Sequence, residues 1–366
     1  MKKLLTITVF LVFCLFQAVG VAACDGGNIK PETNPDGNNK QDEETLGIEF
    51  LYFGNYPQSD VTSSVGNDLA VYVGELPVNG NDSGWTSYEY YISSNTDTDF
   101  MWYKDVDADN DGKSDYRGVY FTEYRPDWTE DSCSNGYQRI NKYYTEAVYW
   151  FRFEPIKWKI LNENGGKAII LTELILDSQD YNYVYDSRII DDNMAFGNNY
   201  AYSSVRAWLN ETFYNIAFNE TEKALIDTVA VDNGMYSAIP TFWFGAYNNL
   251  YVCDDTNDRV FLLSEREVTK NEYGFSSYPY VTDAERQKGA SDYAKVQGTC
   301  AFGDSSGYWW LRSPARDDTN VSGDSACFVH PNGSVDNYSR VNCTPCGIVP
   351  ALQVSDLAAA INILNV

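Results

Sequence analysis

Ile156-Lys157-Trp158-Lys159-Ile160-Leu161-Asn162-Glu163-Asn164-Gly165-Gly166-Lys167-Ala168-Ile169-Ile170-Leu171-Thr172 is the stretch on which the fold turns. Apolar and polar side chains alternate from Ile156 to Ile160, the two-residue period that sets one face of a strand on a core. Asn164-Gly165 then supplies the residue types that adopt positive φ in a tight turn, and Lys167–Thr172 returns as an aliphatic run. The segment reads as a β-hairpin turning at Asn164-Gly165.

On its N-terminal side lie further aromatic and β-branched runs separated by Gly, Asn and Asp: Ile48–Phe53, Tyr88–Ile92, Gly118–Phe121 and Tyr149–Phe153. On its C-terminal side the period lengthens. Ser203 or Ser204 can cap a helix that carries Val205, Trp208, Leu209 and Phe213 on one stripe. Asn219…Glu222, Ser264…Glu267 and Thr282…Glu285 have the spacing in which a cap and the residue three on satisfy each other's backbone N–H groups. Short strands return at Trp309–Arg312, Ala326–His330, Ser334–Val335 and Ile348–Val354. Strands at both ends with helices between them predict an α+β domain, its mixed, mainly antiparallel sheet joining both ends of the chain, with several helices inserted mid-chain. No internal repeat and no second linker is visible, so residues 46–366 read as a single domain.

The first 45 residues have another character. Met1-Lys2-Lys3 is followed by an apolar run from Leu4 to Phe16, and Gln17 and Gly20 interrupt it before it reaches the roughly 20 residues of a membrane span. Residues 1–23 read as a signal peptide. Its exit, Val21-Ala22-Ala23-Cys24, resembles the bacterial lipoprotein box, which implies a diacylglycerol on Cys24 and cleavage just before it. Ordinary secretion is the alternative, since Val-Ala-Ala suits either cleavage. Residues 24–45 are almost free of apolar side chains and so read as a flexible tether. The expected location is extracytoplasmic, the chain held to a membrane through its N-terminal lipid.

Without the leader the chain carries 24 basic and 52 acidic residues, a net charge of −28. Nucleic acid is excluded as a partner by that balance, because phosphate binding relies on clustered Lys and Arg. Eight Cys suit an oxidising compartment: Cys14 leaves with the signal and Cys24 takes the lipid. Cys133, Cys253, Cys300, Cys327, Cys343 and Cys346 remain, enough for three disulfides of unassigned pairing. Cys343-Thr344-Pro345-Cys346 has redox-motif spacing but no strand-then-helix context, which favours a structural bridge. His330 is the single His, so multi-His metal sites are excluded, and it sits where an apolar strand enters a turn.

The sharpest chemical pattern is Asp105-Val106-Asp107-Ala108-Asp109-Asn110-Asp111-Gly112-Lys113-Ser114-Asp115. Counted from Asp107, the carboxylates of Asp107, Asp109, Asp111 and Asp115 fall at positions 1, 3, 5 and 9 of a loop, with Gly112 at 6. That spacing suits Ca²⁺, a hard cation that takes roughly six to eight oxygens, and predicts a structural ion. It is similar to the short acidic loops of thrombospondin type-3 and dockerin repeats. Position 12 departs from a complete EF-hand, because Gly118 stands where a bidentate Glu is needed. A solvated Asp-Gly turn is the alternative.

Several motifs then fall into a familiar order. Phe53-Gly54-Asn55-Tyr56-Pro57-Gln58-Ser59 is followed by Ile156–Leu161, Ile175-Leu176-Asp177-Ser178 and Val205-Arg206-Ala207-Trp208-Leu209-Asn210. Val260-Phe261-Leu262-Leu263-Ser264, Trp309-Trp310-Leu311-Arg312-Ser313-Pro314 and Gly347-Ile348-Val349-Pro350-Ala351-Leu352 complete the series. Over about residues 50 to 353 they resemble an uncharacterised family of exported bacterial domains with an FGxYPQ start, a WWLRSP strand and a GVRPAL end. That family has no assigned activity and brings no catalytic residue. The Arg of its last motif is Val349 here, so any anion or buried acid that this Arg meets elsewhere has no such partner in this chain. The ending is also similar to the closing strand of C-type-lectin-like domains, including the formylglycine-generating-enzyme type. This implies a compact scaffold with variable loops, used mostly for binding and in some members for oxidation.

The expected function is a ligand-binding or adhesion role on such a scaffold, toward a glycan or protein, with Trp309, Trp310 and Arg312 as candidate ligand contacts. The alternatives are a glycan hydrolase using an acid pair, Asp177, Asp180 and Asp191-Asp192 being among the available carboxylates, a copper-thiol oxidase using Cys343 and Cys346, or a structural envelope protein.

Overall fold

The central hairpin turns one residue later than its sequence suggests. Val148–Asn164 pairs antiparallel with Lys167–Thr172, and Asn164 lies opposite Lys167. The two turn residues are therefore Gly165 and Gly166, at φ 60° and 78°. Both central positions of this mirror-image turn need positive φ, which glycine adopts without the strain a side chain brings. Asn164 becomes the last ladder residue instead.

A computed structural model describes residues 48–88, 100–125, 137–234, 237, 251–301, 305–315, 323–342 and 346–363. The leader, Cys24, the tether, Cys133, Cys343 and most of the strand expected at Tyr88–Ile92 lie outside the described residues. Those described belong to one compact unit, Thr45–Val366.

In chain order the strands are β1 Phe50–Asp60, β2 Thr86–Ser87, β3 Met101–Val106, β4 Tyr116–Phe121, β5 Val148–Asn164, β6 Lys167–Thr172, β7 Leu174–Ile175 and β8 Asp177–Ser178. There follow β9 Arg188–Ile190, β10 Asn193–Ala195, β11 Val229–Val231, β12 Thr256–Asp258, β13 Val260–Phe261 and β14 Gly289–Ala290. The last are β15 Trp309–Pro314, β16 Ser325–Val329, β17 Val335–Arg340, β18 Gly347–Ile348 and β19 Ala351–Val354. The larger sheet has eight strands in the order β13-β19-β6-β5-β4-β3-β2, with β1 also on β5, all antiparallel. β5 is its spine: residues 148–152 hold β4, residues 151–159 hold β1 and residues 158–164 hold β6. The first and last strands thus share one sheet. A second sheet, in the order β17-β16-β15-β18-β8, is antiparallel except where β15 meets β18. This is a mixed α+β architecture, mainly antiparallel.

The run Ile348–Val354, expected as one strand, is divided between these sheets. β18 joins the second and β19 the first, with Val349-Pro350 crossing between them. Pro350 has no N–H to donate, and its carbonyl already serves the larger sheet, accepting from Thr172 N at 3.1 Å, so the changeover falls there. Val349 is fully buried in an apolar cluster with Leu171, Phe261 and Trp309.

Alternate residues of the central strands enter two different cores. Ile170, Val260, Trp310, Ile348 and Leu352 belong to one; Leu171, Phe261, Trp309, Val349 and Ala351 belong to the other. Trp102, Trp150, Trp158, Trp309 and Trp310 are all fully buried, each burial contributing roughly 1.5–3 kcal/mol or more. Much of the aromatic excess in the composition goes into this interior.

The longest helix, Thr62–Val73, has no side-chain cap, whereas several of the short mid-chain helices are capped. The Ser203 side chain accepts from Arg206 N at the start of the helix Ser204–Trp208. A single π turn, Leu209–Phe213, then leads into the short helix Tyr214–Ala217. Asn219 and Glu222 form the expected reciprocal cap, and Ser264 and Glu267 do the same. At the third expected cap the residue is Asp283 rather than Thr282, its carboxylate accepting from Glu285 N.

Candidate functional site

The acidic loop joins β3 to β4. Asp107, Asp109 and Asp115 each offer a carboxylate oxygen, and these atoms lie within 4.8 Å of one another. Asp107 accepts from Asp111 N at 3.1 Å and Gly112 N at 2.9 Å; Asp115 Oδ2 accepts from Ala108 N at 2.7 Å. The fourth expected ligand, Asp111, turns away and accepts from Lys113 N at 2.8 Å. Three of the four carboxylates therefore converge. The loop stands on a firm base. Arg117, one position into β4, is buried and grips Asp105 through two 2.7 Å bonds, and Val106, Ala108 and Tyr116 pack with Trp150 beneath it. Gly118 has a packing reason: a Cβ there would come within 2.9 Å of the Trp150 ring.

Trp309, Trp310 and Arg312 are brought together on β15, but all three are buried. The two rings alternate across β15 and both are covered, Trp310 in one core and Trp309 in the other. Neither ring is available as a stacking platform. Trp309 Nε1 donates to Arg286 O and Trp310 Nε1 to Gln179 O, each at 3.0 Å. Arg312 donates to Leu262 O at 2.7 Å and Asp232 O at 3.1 Å, and it pairs with Glu267. Burial works against charge on Glu267, but Arg312 outweighs it and holds the carboxyl below its usual range. The motif is a clamp between segments.

Asp177 lies on the edge of the second sheet, fully buried. It accepts from Tyr56 Oη at 2.6 Å, Ser178 N at 2.6 Å and Gln179 Nε2 at 3.1 Å. Burial outweighs these bonds and pushes its pKa up to about 6. Asp180 is likewise pushed up to about 6 by burial, despite Arg125 at 3.3 Å. Arg125 also donates to Ser178 O and Gln297 O, so the pair is built into the interior.

Cys253, Cys300 and Cys346 are free thiols, and Cys327 Sγ contacts Pro314 O at 3.4 Å, so no disulfide joins these four. Burial pushes the Cys300 thiol up to about 11 and that of Cys346 higher. His330 pairs with Asp336 at 3.2 Å and packs against Tyr308 and Phe328.

Sequence reading missed a surface feature. β9 and β10 form a separate two-stranded hairpin in which Ile189 lies opposite Met194, and its turn is Asp191-Asp192 at φ 49° and 63°. Two acids adopting positive φ between short apolar runs are themselves a hairpin signal. Arg188 donates to Tyr202 O at 3.0 Å and Tyr183 N to Ser204 Oγ at 3.0 Å, which draws these segments together. Tyr183, Tyr185, Ile189, Met194 and Tyr202 all stand exposed, Ile189 at 63% and Met194 at 56%.

A domain of unknown function, DUF6273, matches residues 165–356, just over half of the chain, and the chain belongs to that family. The matched region holds the second sheet, the clamp on β15 and the exposed hairpin; β1 with its FGxYPQ segment and the acidic loop precede it. Neither the curated proteins nor the solved structures give a match.

Proposed function

We propose that this chain is an extracytoplasmic lipoprotein with a ligand-binding or adhesion role, tethered through Cys24 and braced by calcium in the β3–β4 loop. The lectin-like scaffold belongs to the same proposal. What supports the binding role is the division between interior and surface. The strand motifs are consumed by packing, while large apolar side chains stand exposed elsewhere, among them Val71 on the helix Thr62–Val73, Ile189 and Met194 on the β9–β10 hairpin and Tyr278 on a loop. Exposed apolar side chains gathered in patches favour contact with a partner. The convergence of Asp107, Asp109 and Asp115 suits a hard cation with oxygen ligands and so a bracing role for calcium in this loop.

The hydrolase alternative draws on Asp177 and Asp180, carboxyls held up near 6, the shift a general acid needs. Both, however, are enclosed by their own hydrogen-bond partners. The copper-thiol alternative needs thiolate sulfur, and burial keeps Cys346 in the thiol form. Glycan and protein arrays probed with the mature chain test the binding role. Saturable capture of a defined glycan or protein set is expected. Turnover of a glycan that Asp177→Asn abolishes, with no capture, overturns the reading in favour of the hydrolase.

A further inference from the structure

The β9–β10 hairpin carries an apolar centre inside an acidic rim, and we infer that it docks a basic, apolar-cored segment of a partner protein; this rests on the binding role proposed above. Ile189 and Met194 are directly opposed across the ladder, so their side chains project from one face of the hairpin. Tyr183, Tyr185 and Tyr202 stand exposed on the segments that hydrogen bonds tie to it. Asp191 and Asp192 are exposed at the tip of the turn and Asp186 is exposed two residues before β9, which makes an acidic rim to the pair; Arg188, the cation of β9, is half-buried with its guanidinium on Tyr202 O. Tyr and Met are side chains over-represented in protein interfaces.

Charge selects the occupant. A second copy of the chain would bring an identical acidic rim against this one and be repelled, as would an anionic membrane surface. A neutral glycan could stack on tyrosine rings, but Ile189 and Met194 at the centre offer it neither a ring nor a hydrogen bond. A polypeptide with Lys or Arg flanking apolar residues meets all three features at once. Its apolar side chains cover Ile189 and Met194, its cations face the aspartates, and cations over exposed Tyr rings add a further attraction. The strongly acidic chain, net −26 over its full length, would also steer such a partner toward it at low salt.

The test uses the full chain and three short synthetic peptides: one alternating lysine with leucine, one glutamate with leucine, and one lysine with serine. Binding is followed by fluorescence anisotropy. Three double variants accompany it. Ile189→Ser with Met194→Ser removes the centre. Asp191→Asn with Asp192→Asn removes rim charge while keeping side chains that tolerate positive φ. Val71→Ser with Val78→Ser removes exposed apolar groups elsewhere. All six positions are exposed, so each variant is expected to keep the parent melting temperature, which is measured alongside. The lysine–leucine peptide should bind best, and the centre variant should weaken it by about tenfold or more. The rim variant should weaken it and flatten its salt dependence, and the Val71/Val78 variant should leave it unchanged. Equal binding to the centre variant and the Val71/Val78 control overturns the site. Preference for the glutamate peptide, or displacement by an uncharged oligosaccharide, overturns the occupant. Capture on arrays that survives the centre variant would leave the binding role standing and remove only this site; no capture of anything would remove both.

Discussion

At the scale of single residues, Asp177 is the most consequential group the sequence does not explain. Its motif neighbours Ile175, Leu176 and Ser178 are buried with it, and nothing in their spacing says that the carboxyl meets a tyrosine from β1. That contact exists because Tyr56 reaches Asp177 across 121 residues, and the FGxYPQ segment becomes intelligible through it. Gly54 sits at φ 72°, where a Cβ would come within 2.6 Å of the Phe218 ring, and Gln58 holds Glu154 O at 2.9 Å. These contacts make the segment architectural. Energetically, Asp177 acts against the fold at neutral pH. Its pKa rises from 3.8 in the free side chain to about 6 in the folded state, so between those values the folded form binds more protons than the unfolded one. Stability therefore falls as pH rises through that window, and the penalty, on the order of 3 kcal/mol, is present in full above it. Asp177→Asn keeps an oxygen for Ser178 N and Gln179 and an amide for Tyr56. It should raise the melting temperature at pH 7.5 by a few degrees and leave it nearly unchanged at pH 4. A loss of stability at both pH values, measured by calorimetry, would show that the ionised carboxylate is needed instead. Asp180 makes the contrast, since Asp180→Asn removes the carboxylate that faces the buried Arg125 guanidinium and should cost stability at pH 7.5.

At the scale of elements, the loop between β3 and β4 behaves differently from its four-carboxylate sequence pattern. The alternating aspartates predict four ligands, yet backbone geometry selects three, because Asp111 is drawn to Lys113 on its own side of the turn. Spacing in sequence fixes which residues share a loop, while the side-chain directions depend on where positive φ falls, here at Asn110 and Gly112. The central hairpin teaches the same lesson: two glycines beside an asparagine leave two possible turns, and the ladder with Lys167 decides between them. If the proposed calcium binds with the roughly 0.1–1 mM affinity of extracellular modules, about 1 mM ion should stabilise the folded state by roughly 0.4–1.4 kcal/mol, a melting shift of about one to three degrees. Chelator should reverse it. Asp107→Ala and Asp109→Ala should each abolish the shift, whereas Asp111→Ala should retain most of it. An identical melting temperature with and without calcium ends the proposal, and a shift lost equally in Asp111→Ala restores the four-ligand reading.

At the scale of the whole molecule, the α+β class was legible because alternation, caps and turn residues are local signals. The second sheet was not. Its strands β15, β16, β17, β18 and β8 come from distant stretches, and the step of Pro350 from one sheet to the other leaves only an interrupted apolar run in the sequence. For the same reason Trp309 and Trp310 stand as candidate ligand contacts in the sequence, since two-sided burial cannot be seen from one strand alone. The proposed anchor is a different kind of question, because it concerns how a strongly acidic body would stay at a membrane. No helix among the described residues is long and apolar enough to cross one. With 24 basic against 52 acidic residues beyond the leader, anionic headgroups repel the chain rather than hold it. The proposed acyl chains on Cys24, at about 0.8 kcal/mol per buried methylene, then have no electrostatic assistance and carry the attachment alone. Cys24→Ala should consequently release the protein from membranes completely rather than partially, abolish labelling by radioactive palmitate, and leave the release insensitive to salt. Half-retention of the variant that disappears at high salt would show that a basic surface contributes after all, and an unmodified thiol at Cys24 in the intact mass of the native protein would remove the anchor itself.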